Sequence, residues 1–277
     1  MRLPNPITLI ALGVVLMARI PALTAETAPA QPAHDFVKDV IYNELQDRKD
    51  VTYWQYRIDK RVAGSSFSAY QVETKDGLIS RITGRNGQPL SADEKRKEDE
   101  RLNQFMHDPS ERARVKQTHE ADEQRLERLM TLMPDAFLFE YDGMDGGFQR
   151  LKFRPNPSFD PPTYEARIYH ALAGTIWIDP QQKRLARMQG AITDRVDFGY
   201  GLLGHVEKGG TFELKRQQVA GTHWKTSLVS VHVTGRVILF KTISKDQNEL
   251  RFDFKPVPDE TSLEQAREIL DQPQQAG

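Results

Sequence analysis

Hydrophobic and polar side chains alternate with a period of two along much of the second half of the chain, the signature of half-buried antiparallel strands. Ile176 and Ile178 fall on one face with Trp177 on the other, and Leu250, Phe252 and Phe254 alternate with Glu249, Arg251, Asp253 and Lys255. Short turn signals separate the segments: Asp179-Pro180, Lys208-Gly209-Gly210, Ala220-Gly221 and Lys245-Asp246-Gln247-Asn248. Tyr164 to Lys255 therefore reads as a meander of strands around which the earlier segments are arranged.

The first half mixes two periods. Phe36, Val37, Val40, Ile41 and Leu45 recur at helical spacings and predict a helix from about His34 to Asp47. Val51 to Val62 then alternates Trp54, Tyr56 and Ile58 against Tyr53, Gln55 and Arg57, a strand with aromatics on both faces. Phe67 to Glu73 and Leu78 to Thr83 are strands joined through Asp76-Gly77 and ending at Asn86-Gly87, dipeptides that supply the positive φ of tight turns. Phe137 to Tyr141 and Phe148 to Arg154 flank a glycine-rich turn, and a proline-rich loop from Pro155 to Pro162 leads into the meander.

The stretch between these strands has another character. Of the 38 residues from Ser91 to Arg128, 20 are charged, 11 acidic and 9 basic. Ser91 with Glu94 is a capping box, and Asp108-Pro109 is an N-cap followed by proline at the first helical position, so two helices are predicted. Leu126, Leu129, Met130 and Met133 dock the end of the second helix and leave its beginning exposed. Two readings stand side by side: a mobile lid or partner arm, and a solvated helical hairpin, the usual meaning of a mixed charge run.

These elements predict an α+β fold: one curved antiparallel sheet, a half-barrel of roughly ten to twelve strands, covered by the N-terminal helix and by a charged helical hairpin inserted at residues 91–133. A single domain over 34–260 is expected, followed by a C-terminal helix or tail over 261–277.

Composition narrows the function. The chain has 277 residues, 38% hydrophobic and 28% charged, with 38 basic and 39 acidic side chains. That balance suits one globular domain and argues against nucleic acid as a partner, which calls for a basic face. The absence of cysteine removes disulfides, thiolate metal sites and cysteine nucleophiles. Arg2, an apolar run from Ile7 to Ala18 and the small residues Ala22, Thr24 and Ala25 match a secretory signal peptide cleaved after Ala25, with a disordered leader over 26–33. The run is short for a membrane span, although an uncleaved anchor is the rival reading. After cleavage the product is expected to be periplasmic or secreted, with no stable membrane span.

Motifs for chemistry lack their context. Gly199, Gly201 and Gly204 have dinucleotide-binding spacing, but no helix follows to present its amides to a pyrophosphate, so sheet bending explains them better. Asp197-Phe198-Gly199 spells a kinase triplet without its partners, and His119-Glu120 begins a zinc helix whose second histidine position holds Glu123. Asp142 and Asp145 surround a turn without the ligands of a calcium loop. His170, His205, His223 and His232 could converge on a metal only after folding. No serine sits in a nucleophile elbow. No catalytic residue, metal site or cofactor is predicted, and the protein is expected not to be an enzyme.

What remains is apolar surface. Trp54, Tyr56, Phe137, Phe139, Trp177, Phe212, Phe252 and Phe254 give the sheet an aromatic lining and are the candidate ligand-lining residues. Such aromatics commonly form core, yet a concave half-barrel leaves a hollow that a helix or a ligand must fill.

The signal peptide, leading amphipathic helix, aromatic strand YWQYRI and hairpin GTIWIDPQQKRLARMQG together resemble the periplasmic LolA-like fold, which includes the outer-membrane lipoprotein carriers and the sensor-regulator RseB. The hairpin carries the likeness at Trp177, Asp179-Pro180 and Leu185-Ala186-Arg187. The segment order, including NGQPLS and RPNP, is also similar to uncharacterised secreted bacterial proteins. The resemblance implies non-enzymatic binding of a lipid, acyl chain or lipoprotein segment in an apolar hollow. The alternative is an envelope protein-interaction or sensor module with a self-filled sheet and a charged arm, and a third reading is a histidine-metal hydrolase.

Overall fold

A computed structural model describes residues 31–49, 52–198, 204–237 and 246–272. The expected signal peptide, most of the leader, and Gly199 and Gly201 lie outside these described residues. Helix α1 (Ala33–Asp47) precedes strands β1 (Tyr53–Val62), β2 (Ser65–Thr74), β3 (Gly77–Arg85) and β4 (Gln88–Pro89). Helices α2 (Ala92–His107) and α3 (Pro109–Ala136) lead to β5 (Phe137–Asp145) and β6 (Phe148–Pro155). Then follow α4 (Tyr164–His170), β7 (Leu172–Asp179), β8 (Arg184–Ile192), β9 (Val196–Phe198), β10 (Gly204–Val206) and β11 (Thr211–Ala220). The chain continues through β12 (His223–His232), β13 (Gly235–Val237), β14 (Asp246–Val257) and α5 (Leu263–Asp271).

The fold is α+β, with one large antiparallel sheet of 11 strands in the order β4-β3-β2-β1-β14-β12-β11-β8-β7-β6-β5. The sheet is open, with β4 and β5 at its ends. Insertion of β14 between β12 and β1 joins the two halves of the chain through backbone hydrogen bonds.

Three expectations need correction. The strands do not form one sheet: β13, β10 and β9 make a separate three-stranded sheet. Tyr164 does not open the meander, because Tyr164–His170 is a helix whose N-cap, Thr163, accepts the Ala166 N–H at 3.1 Å. That local bond overrides the short apolar alternation. Phe252 and Phe254 do not share a face. Asp253 has φ +58°, and the β14 register slips against β1 between Gln55 and Arg57, so the bulge turns Phe254 to the opposite side.

Directly paired residues of an antiparallel ladder share a face. The pairs Ile176–Met188, Met188–Leu214, Leu214–Val229, Val229–Glu249 and Glu249–Lys60 trace one face across the sheet. Two-residue steps along β1 add Ile58, Tyr56 and Trp54 to it. On this face α1 packs through Phe36, Val37, Val40 and Ile41 against Leu151, Phe153, Ile176, Ile178 and Met188. Val72 and Ile79 pair with each other, Val72 pairs with Gln55, and Val257 pairs with Tyr53, which places all three on the other face. There they meet Leu102 and Phe105 of α2 and Leu263, Ala266 and Leu270 of α5.

Helix α3 belongs to both clusters. At 1.5 Å per residue its 28 residues span about 42 Å. Val115 near its start packs with Leu102 and Phe105, whereas Met130, Met133 and Ala136 near its end pack with α1. As the sequence predicts, the buried residues of α3, Met133, Pro134 and Ala136, all lie at its end, and its start is largely exposed, with Val115 partly buried. Exposure is continuous in the middle, where every residue from Lys116 to Ala121 faces solvent.

Candidate functional site

The eight candidate lining residues fall into separate groups. Phe137 is fully buried, edge-on to Phe153, Tyr169 and Phe139, within the cluster under α1, and Phe212 packs on the same cluster. Trp54, Tyr56 and Ile58 form another cluster with Phe254, whose ring centroid lies 5.1 Å from that of Tyr56. Trp177 lies on the opposite face from Ile176 and Ile178. Its indole N–H donates to Asp145 Oδ2 at 2.9 Å, and the Arg187 guanidinium sits 4.6 Å from its ring. Phe252 also faces that way, under the Arg57 guanidinium at 4.9 Å. The rings therefore fill protein contacts on both sides of the sheet.

Sequence reasoning missed the charges buried on the face that α1 covers. Glu44 is 1% exposed, one turn beyond Val40 and Ile41 in the apolar stripe of α1. Arg184 Nε donates to Glu44 Oε1 at 3.0 Å and Arg184 Nη2 to Oε2 at 3.2 Å, a bidentate pair. The Leu185 N–H donates to the same carboxylate at 2.8 Å. Arg216 reaches Glu44 from β11, and its other nitrogen donates to the Trp224 carbonyl at 2.7 Å. Asp47 adds a second acceptor for Arg184 and lies 3.8 Å from His223 Nδ1. Burial pushes the Arg216 guanidinium down to about 10, still cationic at neutral pH. This network fixes the last turn of α1 to β8, β11 and β12. The signal was present: a glutamate at helical spacing within an apolar stripe must find a cation when buried.

A second group continues along the same face. Glu73 accepts the Trp54 backbone N–H at 3.2 Å and Lys225 Nζ at 3.4 Å, and Lys225 stands 5.6 Å from the Trp54 ring centre. Burial first, and then the Glu73 charge, push the Tyr56 phenol well above its usual range. Glu249 accepts Arg251 Nη2 at 2.6 Å and Lys60 Nζ at 2.8 Å. Burial raises the Glu249 carboxyl, but Arg251 and Lys60 outweigh it, and the net shift is below the usual 4.5. The Trp54 Nε1 has no acceptor among the described residues.

On the opposite face α2 grips the edge of β3. Glu98 Oε1 accepts the Ile82 N–H at 2.8 Å, and Arg101 Nη2 donates to the Ser80 carbonyl at 2.6 Å. Between them Arg81 Nη1 donates to Asp99 at 2.6 Å. Beside this contact lies a cleft of about 220 Å³ lined by Arg85, Leu90, Glu94, Lys97, Glu98 and Arg101. None of the eight aromatic candidates borders it.

The four histidines of the second half do not converge. His170 contacts the Asn156 carbonyl at 2.9 Å, His205 lies 3.0 Å from Glu207, His223 meets the edge of Trp54, and His232 stands 3.4 Å from Asp246. Among the described residues no three acidic or histidine side chains are placed to hold a metal ion, and no helix is long and apolar enough to cross a membrane. No protein-family model matches the chain, and no curated protein matches it.

Proposed function

We propose that the protein is an exported, non-enzymatic interaction module of the bacterial envelope, with a sheet filled by its own side chains and a charged helical arm that meets a protein partner. The observation that carries this reading is the middle of α3. A helix that is polar all round gains nothing from packing there and is held by its docked end, by the contact of Val115 near its start and by local ion pairs such as Arg114 with Glu111 and Arg125 with Asp122. Six successive exposed residues, Lys116 to Ala121, are thereby presented on a fixed strut.

Within this reading the sheet curves as a LolA-like half-barrel, α1 and the α2–α3 hairpin are its covers, and the sequence up to and including Ala25 directs the chain to the periplasm or beyond. The lipid-carrier alternative requires Trp54, Tyr56 and Phe254 to part from one another and admit an acyl chain. A photo-reactive amino acid placed at Thr118 or Glu120 tests the arm in living cells. The expected result is one discrete cross-linked partner from these positions and none from Thr175, on the sheet. Absence of cross-links from α3, together with a rise in melting temperature on adding fatty acid, would favour the carrier. N-terminal sequencing is expected to find Glu26 first, and a retained Met1 would remove the signal-peptide claim in favour of an uncleaved anchor.

A further inference from the structure

The grip of α2 on β3 has the form of a strand pairing made by side chains. An edge strand offers a row of backbone donors and acceptors that a further strand would satisfy. Here the Glu98 carboxylate takes the Ile82 N–H and the Arg101 guanidinium supplies a donor to the Ser80 carbonyl. Ser80 and Ile82 are two residues apart, so their outward groups are those that one neighbouring strand would address. Beyond them β4 continues the edge with only two residues, Gln88 and Pro89. The opposite end of the sheet differs. There β5 is broken by an irregularity between Tyr141 and Met144, with Gly143 at φ +78°, a device that discourages edge pairing.

The charges around the covered edge identify what could replace the cover. Asp99 bonds Arg81 and lies 3.8 Å from Arg267 of α5. Without α2, Arg81 and Arg267 would share Asp271, and Arg85 has no ion pair at bonding distance among the described residues. The lip left behind is basic. The apolar part of the α2 contact is Leu102, Phe105 and the partly buried Met106, while Glu98 is the buried charge that faces the edge.

We propose that α2 is a displaceable cover of the β3 edge and that its competitor is an extended, acidic protein segment, which adds to β3 as a further strand. The backbone of that segment would take the Ile82 N–H and Ser80 carbonyl, and its acidic side chains would meet Arg81, Arg85 and Arg267. The occupant is taken to be a protein on the strength of the interaction reading, but the β3 edge is a different surface from the middle of α3.

The test uses the mature protein and a labelled synthetic peptide of about six residues alternating valine and glutamate, a usual strand length. The Glu98→Ala/Arg101→Ala variant should bind it at least about tenfold more tightly than the wild type, because a competing internal contact taxes the apparent affinity. Glu98→Gln, which keeps an acceptor without the charge, should fall between and guards against a misfolded double variant. Binding should slow hydrogen exchange at the Ile82 amide. It should vanish when alternate peptide nitrogens are methylated, and it should weaken when lysine replaces glutamate. Equal affinity for wild type and both variants, binding that survives methylation, or self-association of the double variant in place of peptide binding would overturn the proposal. Cross-linking from Thr118 that persists while the peptide fails would remove this inference alone. Loss of the Thr118 cross-link with peptide binding intact would remove the α3 reading and leave the edge.

Discussion

Two helical elements pack on opposite faces of the sheet, and they are held in different ways. Helix α1 contributes Phe36, Val37, Val40 and Ile41 to a cluster that includes β5 through β8, and adds a buried carboxylate shared by two arginines and a backbone amide. Helix α2 contributes Leu102 and Phe105 and is otherwise held by the polar contacts of Glu98, Asp99 and Arg101 with β3. Opening the first arrangement exposes the larger cluster and also leaves Arg184 and Arg216 without their shared carboxylate. The second exposes a smaller apolar contact, Leu102 and Phe105 against Val72, Ile79 and α5, and its remaining bonds, worth roughly 1.5–3 kcal/mol each, can be exchanged for bonds to water or to another backbone. The difference teaches that charge pairing is added to apolar packing under α1, whereas α2 relies on a smaller apolar contact and on polar bonds to a sheet edge, which is what would make it a separable layer.

The sharpest way to break this comparison is Glu44→Ala. Removing the shared carboxylate leaves Arg184 and Arg216 buried without it, and the expected cost is about 3–5 kcal/mol of global stability in denaturant unfolding. A cost under about 1 kcal/mol would show that the network is not structural. Leu102→Ala, at a fully buried position, should cost about 3 kcal/mol of α2 docking. Its signature is proteolytic cleavage between Ala92 and Asp108 under conditions in which the sheet stays folded. The matching change in α1, Val40→Ala, should lower the whole transition and open no separate cleavage site.

Gln117→Gly addresses the strut. An exposed glycine in a helix interior costs about 1 kcal/mol relative to good helix formers. Because nothing packs on Gln117, the loss should register as faster amide exchange over Lys116–Ala121 with the melting temperature nearly unchanged. The smallest effect at neutral pH comes from Glu249. Its folded carboxyl titrates below the usual 4.5, so its contribution to stability is complete above that range and is lost as pH falls through its lowered value. Glu249→Gln should therefore flatten the acid limb of stability against pH, and an unchanged limb would count against the Lys60–Glu249–Arg251 group.

Much of the architecture was legible because it is written in period and caps. The apolar stripe of α1, the Ser91–Glu94 box and the Asp108-Pro109 start gave helices where the structure has them. The dipeptides Asp76-Gly77 and Asn86-Gly87 gave the turns after β2 and β3, with Gly77 and Gly87 at positive φ. Other features depend on contacts that no local pattern contains. The bulge at Asp253 is set where β14 joins β1, nearly two hundred residues away in sequence, so alternation alone misassigned Phe254. Tyr164 opens the meander in the alternation of the sequence, but the Thr163 cap makes a helix of Tyr164–His170. The charges beneath α1 illustrate a third case, because hydrophobic patterning discards a glutamate at the moment it becomes informative.

The claim that α2 is separable while α1 is not is tested most directly by native-state hydrogen exchange of the mature protein in increasing denaturant, read at Leu102 and Phe105 in α2, at Val40 and Ile41 in α1, and at Ile82 in β3. The expected result is that the two α2 amides and the Ile82 amide open together at a lower free energy than the α1 amides, which exchange only through global unfolding. One common opening free energy for all five amides would contradict the account and make the helical cover an integral part of the core.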